Sequence, residues 1–126
     1  MLDEYLRQSA LLIGGHPRPP GFMKPVLMFE VVFTRSAKEE LERLEDSPRY
    51  AGLVKQIKKT LGFLQTNPRH PSLHTHVFHS LEHPYHSREK VFEAYIQQHT
   101  PAAYRLFWCY GPQKGHITIL AITPHP

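Results

Sequence analysis

The order of apolar patterns along this chain predicts an α+β fold, in which strands and helices are segregated rather than alternating. Three observations carry the prediction. A β-branched and aromatic run, VLMFEVVF, occupies residues 26–33. Two amphipathic helical repeats follow one another between Ser36 and Asn67, and three strand-like runs come after Lys90, separated by turn residues. The layout expected is an N-terminal strand, a helical hairpin, and a C-terminal antiparallel β-meander, with the helices packed on one sheet face.

Residues 1–25 read as an N-terminal arm and Pro-rich linker, and residues 26–126 as the folded domain. Leu2, Tyr5, Leu6, Ser9, Leu12 and Ile13 form one helical stripe. Residues 16–25 then hold four of the twelve prolines and a glycine, which no regular element tolerates. Met23 and Met28 offer alternative starts to Met1. The run at 26–33 carries one charge, Glu30, as expected of a strand covered on most of both faces.

Ser36 followed by Glu39 has the spacing of a capping box, and Ala37, Leu41 and Leu44 then share one face of a helix reaching about Asp46. Ser47-Pro48 supplies the N-cap and first position of a second helix. Its Leu53, Ile57, Leu61 and Leu64 keep one face until Asn67-Pro68 ends it, and the short connection predicts a helical hairpin. Residues 69–90 read as a loop with one weak strand at 74–81. Residues 91–97, 104–110 and 116–123 read as strands, the last two joined through Gly111-Pro112-Gln113-Lys114-Gly115.

Composition excludes several classes. No apolar stretch approaches the ~20 residues of a membrane span. Asp3, Glu4 and Gly14-Gly15 do not fit a secretory signal. Cys109 is the only cysteine, which excludes a disulfide framework or thiolate zinc cage and points to the reducing cytoplasm. Fifteen Lys and Arg against eleven Asp and Glu leave a net charge of +4, and ten histidines can add to it, so a polyanionic partner fits.

Histidines 70, 74, 76, 79, 83 and 86 crowd one segment, and His74-x-His76 on a strand would put two imidazoles on the same side, as Zn²⁺ or Ni²⁺ would accept. A small His-ligated metal protein is therefore a rival reading, weakened by the absence of any strict ligand motif. Lys55, Lys58 and Lys59 on the outer face of the second helix, with Arg69 nearby, form a basic stripe suited to RNA or an acidic chain; a solvated helix face explains them as well. A simple register of the meander sets Leu106, Trp108 and Tyr110 beside Tyr95 and Thr118 on one face, and Phe107, Cys109, Ile117 and Ile119 on the other. Tyr95, Trp108 and Tyr110 would then form a platform on which bases could stack. The same alternation puts Arg105 on the opposite, apolar face.

The strand leading into RSAKEELERLE, the helix ending in LQTNPRHPSL, and the pair AYRLFWCY and HITILAITPHP together resemble the RelE/ParE-type toxins of bacterial type II toxin–antitoxin pairs, in the mRNA interferase branch. The resemblance runs from about residue 26 to 126. It implies a ribosome-dependent mRNA endonuclease that works by acid–base chemistry, with no cofactor and no bound metal. Cleaving RNA this way requires a base to deprotonate the ribose 2′-OH, a cation to hold the phosphate and an acid to protonate the leaving 5′ oxygen.

By resemblance Arg105 is the cation and His125 the acid. His70, His74 or Glu93 is left as proton acceptor, because the carboxylate that the branch carries after the second helix is missing. The lysines or arginines other members place on the preceding strand are missing too; Glu93, Tyr95 and Gln97 stand there. That departure favours the alternative of a non-catalytic, protein-binding module of the ParE kind. Arg105 could then simply pair with Glu93 across the strands. The partners implied are an acidic antitoxin that folds on binding, the ribosome and mRNA, and no membrane; a homodimer is compatible with the fold.

Overall fold

A computed structural model describes residues 28–124. The arm, the whole of the linker and His125 lie outside the described residues. The elements are β1 (Glu30–Phe33), α1 (Arg35–Glu45), a 3₁₀ turn (Pro48–Tyr50), α2 (Ala51–Thr66), a second 3₁₀ turn (Pro71–Leu73), β2 (His76–Phe78), β3 (Val91–Tyr95), β4 (Tyr104–Tyr110) and β5 (His116–Pro124). They form the α+β fold expected, with a mixed sheet ordered β1-β5-β4-β3-β2. β1 lies parallel to β5, and the other pairs are antiparallel.

The helical hairpin covers one sheet face. Ala37, Leu41 and Leu44 of α1 and Leu53, Ile57, Leu61 and Leu64 of α2 are the predicted stripes. They pack with Val31, Phe33, Ala94, Leu106, Trp108, Ile117, Ile119 and Ile122 into one apolar core. Each large side chain fully removed from water there contributes about 1.5–3 kcal/mol.

The cap of α1 differs from the capping-box expectation at Ser36. Thr34 is the N-cap: its hydroxyl accepts from the Ala37 N–H (3.2 Å) and donates to the Leu120 carbonyl (2.9 Å). That carbonyl is available because β5 bulges. Trp108 pairs with Ile119 and Phe107 with Ala121, so Leu120 has no partner on β4. The helix thus begins directly after β1, and its cap is tied to the bulge of the neighbouring strand. The first strand is shorter than expected, beginning at Glu30, and the weak strand contracts from 74–81 to His76–Phe78.

The expected meander register is also corrected. Tyr110 pairs with Ile117, Cys109 with Thr118, and Trp108 with both Ile119 and Phe92. Leu106, Trp108 and Tyr110 therefore share the helix-covered face with Ile117 and Ile119. Tyr95 pairs with Arg105 and lies on the opposite face with Phe107, Cys109 and Thr118. Side chains alternate with a period of two, so a one-residue slip in the pairing exchanges the faces. The aromatic platform of Tyr95 with Trp108 and Tyr110 does not form.

Residues 79–90 cover half of the second face. His83, buried, is the staple. Its Nδ1 accepts from the Tyr85 and His86 N–H groups (3.1 and 3.0 Å), so its Nε2 carries the proton and donates to the Tyr110 carbonyl (2.8 Å). The Tyr85 hydroxyl meets Thr118 Oγ1 at 3.1 Å, and Thr118 donates to the Gly111 carbonyl at 2.8 Å. Gly111 has φ +113°, and a Cβ there would come within 3.2 Å of the Tyr85 ring. Among the described residues no helix is long and apolar enough to cross a membrane.

Candidate active site

Arg105, second residue of β4, faces the half of the sheet that the 79–90 segment leaves open. Its guanidinium lies over the Tyr95 ring, 3.8 Å from the centroid, and Nη1 donates to the carbonyls of Gln97 (2.8 Å) and Tyr104 (3.3 Å). Nη2 takes no part in these bonds. The side chain is only 12% exposed, so the fork is held by its surroundings rather than swinging in solvent.

Glu93 Oε2 lies 4.0 Å from Arg105 Nε, at the limit of an ion pair, while Oε1 is 2.5 Å from His76 Nε2. The cross-strand neighbour of Arg105 is Tyr95, so Glu93 reaches it only diagonally. The carboxylate belongs first to His76, whose other nitrogen, Nδ1, faces the His74 carbonyl at 3.2 Å. Each ring nitrogen of His76 thus faces an oxygen acceptor.

His74 stands beside these groups. It ends the Pro71–Leu73 turn in the left-handed conformation (φ 46°), and its exposed ring stacks on Tyr95 with centroids 5.4 Å apart. Tyr95 therefore carries Arg105 and His74, with His76 against its edge at 5.9 Å. Three sequence candidates, Arg105, Glu93 and His74, come together here with Tyr95. His76, marked in the sequence only as half of a possible metal pair, joins them from its place opposite Glu93 on the edge strand.

The remaining candidates fall elsewhere. His70 Nδ1 accepts from the Ser72 N–H (3.1 Å), and its ring stacks on Phe63 at 4.0 Å, where it caps the turn after α2. Lys55, Lys58 and Lys59 lie on the solvent side of α2, across the molecule from Arg105; Lys58 sits 3.4 Å from Glu45. Arg69, Trp108 and Tyr110 line a separate cavity. His125 lies outside the described residues; Pro124 before it pairs with Tyr104, the neighbour of Arg105.

The rival metal arrangement does not form. His74 precedes β2 instead of sharing a strand with His76, and among the described residues no three His, Cys, Asp or Glu side chains converge as metal ligands. Cys109 is buried, and desolvation pushes its thiol up to about 11, so it is no nucleophile near neutrality.

No family model and no curated protein matches the sequence. Among solved structures the chain is similar to a YoeB/ParE toxin from Agrobacterium tumefaciens, with a TM-score of 0.58 over 76% of this chain and 98% of that one, at 11% identity. The fold is RelE/ParE-like. At that identity the likeness speaks for the fold alone, a helical hairpin on one face of a five-stranded sheet.

Proposed function

We propose that this protein is the toxin of a toxin–antitoxin pair and cleaves mRNA on the ribosome by acid–base chemistry. The observation that carries the reading is the Arg105 guanidinium clamped on Tyr95, with Nη1 anchored to two carbonyls and an exposed imidazole on the same ring. A phosphate entering the open half of the sheet meets a fixed planar cation, which needs no reorganisation as charge develops on the phosphoryl oxygens.

In this reading His74 takes the proton of the ribose 2′-OH as that oxygen bonds to phosphorus, giving a 2′,3′-cyclic phosphate. The bond to the 5′ oxygen breaks, and His125 supplies the proton to that leaving oxygen. His74 is preferred to Glu93 as acceptor because it is exposed, whereas the Glu93 side chain is 8% exposed and committed to His76. His70 is occupied in capping. The partner is an antitoxin whose acidic chain folds on the basic toxin and blocks this face.

One observation favours a second reading, a protein-binding toxin without catalysis: the face that holds Arg105 also presents Glu93, an anion that competes with phosphate for the same guanidinium. Expression of wild type and Arg105→Ala in a bacterium separates the two. A nuclease arrests growth and cleaves message, and the variant loses about 10²–10³-fold in cleavage. Growth arrest with intact mRNA would establish the binding module instead.

A further inference from the structure

A second basic and aromatic surface lies at the end of the sheet that the helices leave uncovered. A cavity of about 550 Å³ opens between the turn after α2 and the ends of β3 and β4, lined by Arg69, His70, His74, Thr75 and Trp108 together with Lys90, Phe92 and Tyr110. It adjoins a cavity of about 530 Å³ that shares Lys90, Phe92 and Tyr110 and extends to Arg88 and Lys114. Such volumes suit small organic groups. Four cations, Arg69, Arg88, Lys90 and Lys114, face this surface against one carboxylate, Glu89.

The aromatic content is arranged for stacking. Phe92 and Trp108 stack at 4.7 Å, and Tyr110 stands edge-on to both at 6.0 and 5.0 Å, with 41% of its surface exposed. Two buried polar atoms of the lining, Trp108 Nε1 and Thr75 Oγ1, have no hydrogen-bond partner among the described residues. A donor and a hydroxyl left without partners at the wall of an open cavity are what a ligand rich in oxygen and nitrogen acceptors would satisfy.

We infer that this groove is a binding site for single-stranded RNA, with a base stacked on the exposed Tyr110 ring beside Phe92 and the flanking phosphates held by Lys90 and Arg69. Flat, sequence-tolerant stacking combined with cations along the backbone is the usual chemistry of single-strand grooves. An acidic peptide would use the cations but would leave the aromatic wall without a matched group. His74 connects the groove to the Arg105 cluster, since it lines the cavity and stacks on Tyr95. RNA lying in the groove therefore leads over the sheet edge to the proposed scissile position, an extension that rests on the nuclease reading.

Trp108 is the only tryptophan and reports directly on the groove. Wild-type protein is titrated with 2′-O-methyl oligouridylate of about eight nucleotides, which lacks the attacking hydroxyl and stays intact. The expected result is a saturable change in Trp108 emission. Tyr110→Ala weakens binding about ten-fold or more. Lys90→Gln lowers the slope of log affinity against log salt by about 0.7. Lys90 is exposed, so its variant keeps the test decisive if Tyr110→Ala fails to fold.

No saturable change at low salt would overturn the inference. So would equal affinity for an oligoglutamate of matched charge, which would assign the groove to an acidic peptide. Ribosomal mRNA cleavage is scored separately: cleavage without an emission change removes the groove but not the nuclease, and the reverse removes the nuclease but not the groove.

Discussion

The two faces of the sheet bury side chains by different means. The helix-covered face is closed by aliphatic and aromatic groups from α1, α2 and alternate strand positions, and its cohesion is non-directional. The other face buries Glu93, Thr118, Cys109 and the stem of Arg105. Each of its polar groups needs a particular partner: His76 for Glu93, Gln97 for Arg105, Gly111 and Tyr85 for Thr118. The first face tolerates chemical approximation provided volume is filled; the second holds its shape only if individual bonds are made. The Arg105 cluster lies on the second.

Four substitutions sharpen or break this contrast. Ile57→Ala, at a fully buried position under α2, should cost about 2–5 kcal/mol in a denaturant titration. A loss below about 1 kcal/mol would mean that this face is not the main core. Glu93→Gln leaves His76 and the Arg105 cation facing a neutral amide and should cost about 1–3 kcal/mol. Because it also removes the anion near the phosphate position, Glu93→Gln should raise affinity for a phosphate oligomer, whereas unchanged stability and affinity together would show that the second face needs no such pairing.

Thr34→Ala removes the α1 cap and the bond to the bulge at Leu120, for about 1 kcal/mol. The smallest effect concerns Glu40. The hydrogen bonds from Arg43, at 2.8 and 2.9 Å, hold its carboxyl below the ordinary 4.5, opposed by burial and helped by the Arg43 charge and the Tyr104 hydroxyl. A lowered native value stabilises above the ordinary one and is lost as pH falls through the lowered value. Glu40→Gln should therefore lower the neutral plateau slightly and flatten the acid limb, the variant and wild type converging once pH falls below the lowered value. A variant with the same acid limb as wild type would show that the pair, on the solvent side of α1, contributes nothing.

How far the molecule could be read in advance differs between these faces. The stripes Ala37-Leu41-Leu44 and Leu53-Ile57-Leu61-Leu64 were readable because a 3.6-residue period is a local property and the core accepts any apolar partner. The cap was misplaced at Ser36 because the group that favours Thr34, the Leu120 carbonyl, comes from a strand 86 residues away. The histidine-rich segment looked like ligand chemistry, yet its buried member, His83, is a hydrogen-bonding staple, a role set by the approach of residues 79–90 to β4. Arg105, Glu93 and His74 could be named by residue type, but Tyr95 as the plate beneath Arg105 and His74, and His76 as the partner of Glu93, required the register.

By itself the sequence determined which segments become helices and strands, the pairing of the two helices, and the turn at 111–115, since these follow from periodicity and punctuation within a few residues. Tertiary structure decided which side of the sheet each aromatic and charged residue occupies. Strand side chains alternate every residue, so the hairpin register and the bulge at Leu120 set every assignment beyond them. Those choices put Tyr95 under Arg105 and Tyr110 in a separate groove, and no local pattern in the chain encodes them.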